Sequence, residues 1–328
     1  MSQSPQSERA GASSVGLLVF MLACSVALWL GRQTPAAPPA GEDEEHEAVF
    51  QRTLAWVQRD GARWQEEHGD RTLSWEDAKG HLVIVIDDVG RELDAHAALQ
   101  ALAYPLTFSI LPGSVYAAGA QLRLREDERR YREIWLHLPM EPRDASVMRS
   151  GLEVQESFLT REDSDEALRS KTIAALERVP AAVGVNNHMG SAFTTDERGM
   201  RIVLETLREQ GKLFMDSRTH HETVGARIAG EIGLAHAERR VFLDHDPDPA
   251  AMALALEEAI ELSKRQPTVA IGHPSRALAA VLEEGLDKAY EGGVAVFPLS
   301  EHIARVEAAR SGSKVNDRAG IEQSDSAP

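Results

Sequence analysis

The sequence predicts an α/β protein whose strands form a parallel sheet, either open or closed into a barrel. Two observations predict it. From His81 onward, short β-branched runs alternate with amphipathic stretches of helical spacing, and alternation repeated this often argues for parallel strands joined by helices. The residues that can do chemistry also follow the strand candidates closely, and in parallel α/β folds function gathers at the C-terminal strand ends. The 328 residues leave room for one large domain or two ordinary ones, and 43% hydrophobic content is enough for a real core.

The segments ahead of the sheet follow in order. Residues 1–13 are polar and Ser-rich, and Gly16 to Leu30 are almost wholly apolar. Such a run is long for a signal core and slightly short of the ~20 residues a spanning helix needs. We read 14–31 as an uncleaved membrane anchor, with a cleaved signal as the alternative and lipoprotein processing at Cys24 as a third. Residues 32–47 carry Pro35, Pro38, Pro39 and Glu42 to Glu45, which describes an extended, self-repelling linker. Phe50, Leu54, Val57 and Trp64 recur at helical spacing, so a helical extension is expected over 48–80. The main domain is expected over 81–308 and a disordered polar tail over 309–328.

Within the main domain the strand candidates are Leu82–Ile86, Leu106–Ile110, Ile134–Leu136, Ala182–Val185, Leu213–Met215, Val241–Leu243, Thr268–Ile271 and Val294–Phe297. Asp196 to Gln210 has helical periodicity and stops at Gly211. Asp248 followed by Pro249 is a cap and first-turn proline for another helix through Lys264.

Composition narrows the chemistry. A net charge of -17 disfavours nucleic acid and anionic lipid as partners. The single cysteine, Cys24, rules out an intrachain disulfide and a Cys-rich zinc site, so His and carboxylates must hold any transition metal. Of 12 histidines, five fall just after strands: His137, His188, His220, His245 and His273.

Asp87 and Asp88 close the first apolar strand. Adjacent carboxylates raise each other's pKa, and a cation beside them removes the conflict. The alternative is a turn that caps the next helix. Asp88, His137 and His188 together make a two-His, one-carboxylate set suited to Zn²⁺ or another divalent ion. Asp244-His245-Asp246 sits among Pro247, Asp248 and Pro249 and reads as a solvated loop, as do His220 and His221. His273, between Gly272 and Pro274, has a fixed backbone and a near-neutral pKa suited to a general acid, unless it caps the helix near Ser275.

Val-Ile-Asp-Asp-Val-Gly, Leu-His-Leu-Pro-Met-Glu-Pro, Asn-Asn-His-Met-Gly-Ser, Phe-Met-Asp-Ser-Arg-Thr and Ile-Gly-His-Pro, in this order between about His81 and Arg305, resemble the divergent polysaccharide deacetylases. These form a distant branch of the carbohydrate esterases that remove acetyl groups from amino sugars. The resemblance implies a distorted (β/α) barrel of about seven units. It implies Asp87 as base and Asp88 as metal ligand. The superfamily's His-x-x-x-His falls here on His137 and Glu141, so either His188 or Glu141 completes the metal set. His273 echoes the acid His, with Asp216 as its orienting partner, and Gly113, Ser114, Glu141, Asn187 and Arg218 line the sugar site. A divalent metal, zinc by its ligands, and an acetylated glycan of the cell envelope are then the implied cofactor and substrate. The N-terminal segment would hold the domain on the outer side of the inner membrane, or be cleaved to release it into the periplasm. A non-catalytic envelope scaffold or glycan binder that keeps the fold is the alternative of a different class. Another metal-dependent hydrolase, such as a phosphoesterase, is disfavoured by the lack of a Gly-rich phosphate cradle.

Overall fold

The computed structural model describes residues 69–126 and 132–310. The expected anchor, linker and tail, and most of the helical extension, lie outside the described residues. Residues 69–79, expected as the end of that extension, form an irregular stretch with a turn at 75–77 instead. Tertiary contacts override a helix here. The Arg71 amide donates to Ala103 O and that of Lys79 to Gly293 O, while Asp70 is buried against Arg132, 2.9 Å from its Nη1. No helix among the described residues is long and apolar enough to cross a membrane.

Strands and helices alternate along the chain as β1 (Gly80–Val89), α1 (Asp94–Gln100), β2 (Thr107–Ile110), α2 (Ala117–Arg125), β3 (Glu133–Met140), α3 (Asp165–Arg178), β4 (Gly184–Met189), α4 (Glu197–Glu209), β5 (Leu213–Asp216), α5 (Gly225–Glu231), β6 (His236–Glu238), β7 (Val241–Phe242), α6 (Pro249–Ser263), β8 (Thr268–Gly272), α7 (Arg276–Glu291) and β9 (Val294–Val296). A last helix, α8, spans 299–310. Capping agrees with the sequence. Asp196 accepts from the Gly199 amide at the start of α4, and Asp248 with Pro249 opens α6.

The parallel strands form one sheet in the order β6-β5-β4-β3-β2-β1-β8-β7, with β9 also paired to β1. Its two edges meet in a single extended segment. β6 pairs with β5, the Arg239 amide still donates to Asp216 O, and the next amide, Arg240, already donates to Val269 O on β8. One stretch of chain therefore bridges both edges and curls the sheet into an irregular barrel.

Alternation along the strands divides the core. Leu82, Ile84 and Ile86 face the helices, while Val83 and Val85 face inward with Trp135, Met215, Val269 and Ile271. Leu299 and Ile303 of α8 join this inner cluster. Gly184 makes room for the Trp135 indole, because a Cβ there would lie 2.5 Å from the ring.

Two strands run further than their apolar runs suggest. β3 continues to Met140 and β4 to Met189, so His137, Asn186, Asn187 and His188 lie inside strands rather than after them. The β3–β4 register, which pairs His137 with Asn186 and Pro139 with His188, supplies the backbone hydrogen bonds that apolar patterning did not advertise. The three-residue strand β6 carries no apolar run and was not expected.

Candidate active site

The inward faces lead straight from the apolar interior to the polar mouth. Val83 and Val85 are followed at the same period by Asp87, Trp135 by His137, Gly184 by Asn186 and His188, and Val269 and Ile271 by His273. A strict strand would turn Asp88 away from Asp87. Instead the β1–β2 register shifts between Ile86 and Val89, and Asp88 takes a positive φ of 55°. The bulge re-aims the backbone so that both carboxylates approach one imidazole. Among the described residues, the other non-glycine residues with positive φ are Met189 and Arg218, at the same rim. Such conformations cost roughly 1–3 kcal/mol each and persist where the surrounding fold over-determines them.

Three ligand-type atoms converge. Asp88 Oδ1 lies 2.9 Å from His188 Nδ1 and 3.4 Å from His137 Nε2, and the set lies within 4.8 Å throughout. Tetrahedral ligands about 2.1 Å from a zinc ion stand roughly 3.4 Å apart, so the spacing fits. Asp88 Oδ1 is buried and has no hydrogen-bond partner. The contact with His188 is short but lacks hydrogen-bond alignment. An orphaned carboxylate oxygen facing two imidazole nitrogens is the donor set of a divalent cation, so these residues can hold one.

Neighbours fix each group. His137 Nδ1–H donates to Asn186 Oδ1 over 3.1 Å, which turns Nε2 toward the cluster. Asn186 Nδ2 donates to Asp87 Oδ1 over 2.9 Å and to Ser217 Oγ, so one buried amide orients both the Asp87 carboxylate and the His137 imidazole. Asp87 Oδ2 faces His137 Nε2 at 3.6 Å. Across the mouth, Asp244 accepts from the His273 amide at 2.6 Å and from Nδ1–H at 3.1 Å, leaving Nε2 free. Phe242 stacks on the His273 ring and Arg239 lies over Phe242.

The electrostatics separate the roles. Burial pushes Asp87 up, against the pull of His137 and His273. Burial pushes Asp88 the same way, but the two imidazoles hold it well below the usual carboxylate range. For His273, burial lowers the pKa, yet Asp244, Asp88 and Asp87 outweigh it and lift the ring to about 9. Asp87 can thus accept a proton while His273 carries one at neutral pH.

Several expected site residues have other work in the structure. Asp216 is not the partner of His273; it accepts from the Arg218 amide and the Thr223 hydroxyl, and Asp244 takes the orienting place. Glu141 does not join the cluster, because Arg161 binds its carboxylate through backbone and side chain. Ser114 Oγ donates to Leu111 O, and the Gly113 amide donates to Glu156. Asn187 points away from Asn186, accepting from the Ser217 amide and donating to Met189 O. Arg218 pairs with Glu238. His220, His221 and Glu222 form a second, exposed cluster in the turn after β5, where Arg143 lies 3.7 Å from Glu222.

Four residues were missed: Asn186, Asp244, Arg91 and Glu153. Asn186 was readable by counting back two from His188. Asp244 follows β7 as the other rim residues follow their strands, but its Pro-rich surroundings pointed to a solvated loop; its side chain is only 9% exposed. Arg91 and Glu153 sit outside the strands. Glu153 Oε2 lies 2.9 Å from His188 Nε2, and Arg91 binds both Asp88 Oδ2 and Glu153. No local pattern marks either residue.

Comparison with known proteins gives this site a family. A family model described as divergent polysaccharide deacetylase matches residues 84–303. An uncharacterized protein of Haemophilus influenzae is 34% identical over 210 residues, covering 64% of this chain and 72% of that one. The uncharacterized protein YibQ of Escherichia coli is 34% identical over 208 residues, and the alignment spans 62% of either chain. The crystal structure of an uncharacterized protein from Agrobacterium tumefaciens superposes with a TM-score of 0.61 at 20% identity, over 74% of this chain and 96% of that one, which speaks to the fold alone. The matched stretch runs from β1 into α8 and contains the aspartate pair, both imidazoles, Asp244 and His273; this chain belongs to the divergent polysaccharide deacetylase family.

Proposed function

We propose that the protein is a metal-dependent hydrolase that removes acetyl groups from an amino-sugar glycan of the cell envelope. The observation that carries this reading is the orphaned Asp88 Oδ1 facing His137 and His188, with the Asp87 carboxylate beside His137 and the His273 ring held by Asp244 across the mouth. A divalent ion bound there, zinc by the two-nitrogen, one-oxygen set, would supply Lewis acidity and bring the pKa of a water toward neutrality. Asp87, raised by burial and held by Asn186, takes the proton of the attacking water. His273, protonated and aimed by Asp244, gives a proton from Nε2 to the departing amine. Val115 and Tyr116 after β2, and Leu152 and Val154 after β3, are exposed on loops joined by the Gly113–Glu156 hydrogen bond. Such apolar rim residues suit the C–H faces of sugar rings.

The test is hydrolysis of an N-acetylglucosamine polymer with wild type and Asp87→Asn, with the ion measured in both. Loss of a general base should lower kcat by about 10²–10⁴-fold while metal content stays constant. Equal activity in both with full metal would exclude the assigned role of Asp87. Bound polymer without turnover in either protein would favour a glycan-binding scaffold. We further propose export of the domain beyond the inner membrane on the 14–31 segment; recovery of the full chain in the cytosolic fraction would exclude it.

A further inference from the structure

Each of the three ligand-type residues has a second polar face, and each face is occupied. His137 turns its other nitrogen to Asn186. Asp88 turns Oδ2 to Arg91 Nη1 at 2.8 Å, leaving only Oδ1 facing the imidazoles. His188 is the unusual one, because its other nitrogen, Nε2, meets a carboxylate, Glu153 Oε2, at 2.9 Å, closer than Arg91 Nη2 at 3.4 Å. Glu153 comes from a 3₁₀ turn, Gly151–Gln155, in the long connection between β3 and α3. That connection is tied to the barrel mouth at several points. At its base the Glu141 amide donates to Leu159 O and the Leu159 amide donates to Pro139 O of β3, and Glu156 accepts from the Gly113 amide. A Cβ on Gly113 would lie 2.3 Å from Gln155 O, so this glycine permits the close approach. Arg91 then binds Glu153 and Asp88 with the two arms of one guanidinium.

We propose that Glu153, clasped by Arg91, is the positioning residue of the metal centre: it holds His188 Nε2–H so that Nδ1 carries the lone pair offered to the ion. This rests on the metal-dependent reading above. Two physical reasons support a carboxylate here. An anion on the far nitrogen fixes the tautomer and raises the basicity of the ligating one. The carboxylate also comes with its own counter-charge, Arg91, so the mouth does not gather a further uncompensated negative charge beside Asp87 and Asp88. Arg91 meanwhile occupies Asp88 Oδ2 and restricts this ligand to one oxygen.

The test is the affinity of the full domain for Zn²⁺ and Co²⁺, by competition with a chromophoric chelator, and the visible spectrum of the Co²⁺-loaded protein. Glu153→Gln keeps size and hydrogen bonding but removes the charge. It should weaken binding by about 10- to 100-fold and shift the Co²⁺ bands, with the melting temperature of the metal-free protein unchanged. Glu153→Asp should recover part of the loss. Glu156→Gln, on the same turn but bonded to Gly113, should bind as wild type. Wild-type affinity and spectrum in Glu153→Gln, where His188→Ala has lost the ion, would overturn the role of Glu153. Failure of the wild type itself to bind either ion would overturn the metal-dependent reading, and this inference with it. Should Glu153→Gln melt early, the Asp variant decides: wild-type affinity and bands there support the role of the charge, whereas a loss as large as that of Gln counts against it.

Discussion

Glu133 and His137 stand four residues apart on the same face of β3, one at the floor of the barrel and the other at its mouth. Both regions bury carboxylates, and they treat them in opposite ways. At the floor, Glu133 Oε1 accepts from Trp135 Nε1 at 2.7 Å, the Ser300 amide at 3.1 Å and the Thr107 hydroxyl at 3.3 Å, while Oε2 takes the Ser300 hydroxyl. Burial pushes its pKa up and this shell of neutral donors pulls it down. The arrangement pins the first turn of α8, whose Leu299 amide also donates to Thr107, and an acceptor at a helix N-terminus is favourable by the dipole as well. At the mouth, Asp88 Oδ1 accepts nothing and faces imidazoles. A buried carboxylate with both oxygens held by neutral donors is part of the scaffold. One left open beside nitrogen ligands is kept for something the chain does not itself supply.

This contrast can be broken by exchange of symptoms. On the metal-binding reading, Asp88→Ala should lower metal affinity by more than about 100-fold at little cost to cooperative unfolding, because Oδ1 accepts no hydrogen bond and only the partly exposed pair of Oδ2 with Arg91 is lost. Metal content by mass spectrometry and a urea melt of the metal-free protein check both halves. Glu133→Ala should do the reverse. It strands the Trp135 and Ser300 donors and costs about 3 kcal/mol of stability with metal affinity unchanged. A mutant as stable as wild type would remove the distinction between floor and mouth.

Smaller effects sharpen the comparison within the mouth. If His273 is the proton donor proposed above, its pKa, raised to about 9 by Asp244, Asp88 and Asp87 against burial, sets an alkaline limb: activity should fall as the pH rises through that value. Asp244→Asn removes the charge that supports the proton and should move this alkaline limb down by about 1 pH unit in kcat/KM, worth roughly 1.4 kcal/mol. Asp216→Asn should leave the limb in place, since Asp216 spends its oxygens on Arg218 and Thr223. A shift in the Asp216 variant equal to that in Asp244→Asn would return the orienting role to Asp216.

Most of the fold was legible. β1 and β8 are short apolar runs with clear ends, and α4 and α6 announce their caps with Asp196 and Asp248. The candidate site was legible in part. The residues of its centre, Asp88, His137 and His188, were visible because each stands at or near the end of an apolar run. Their surroundings were not. β3 and β4 continue through polar residues because their backbones pair with each other, so Asn187 was taken for a site residue where Asn186 turns inward. Asp244 was hidden by the prolines that follow it.

Sequence by itself determined the alternation of strands and helices, and with period two it determined which side chains follow Val85, Trp135 and Ile271 toward the mouth. These are local properties, set by residues within a few positions of one another. Only the tertiary structure decided which group stands beside which. Asp244 meets His273 across 29 residues, Glu153 meets His188 across 35, and Arg91 meets Glu153 across 62. Such distances are fixed by sheet register, by a bulge at Asp88 and by the closure of a loop, and none of these leaves a periodic mark on the residues it joins.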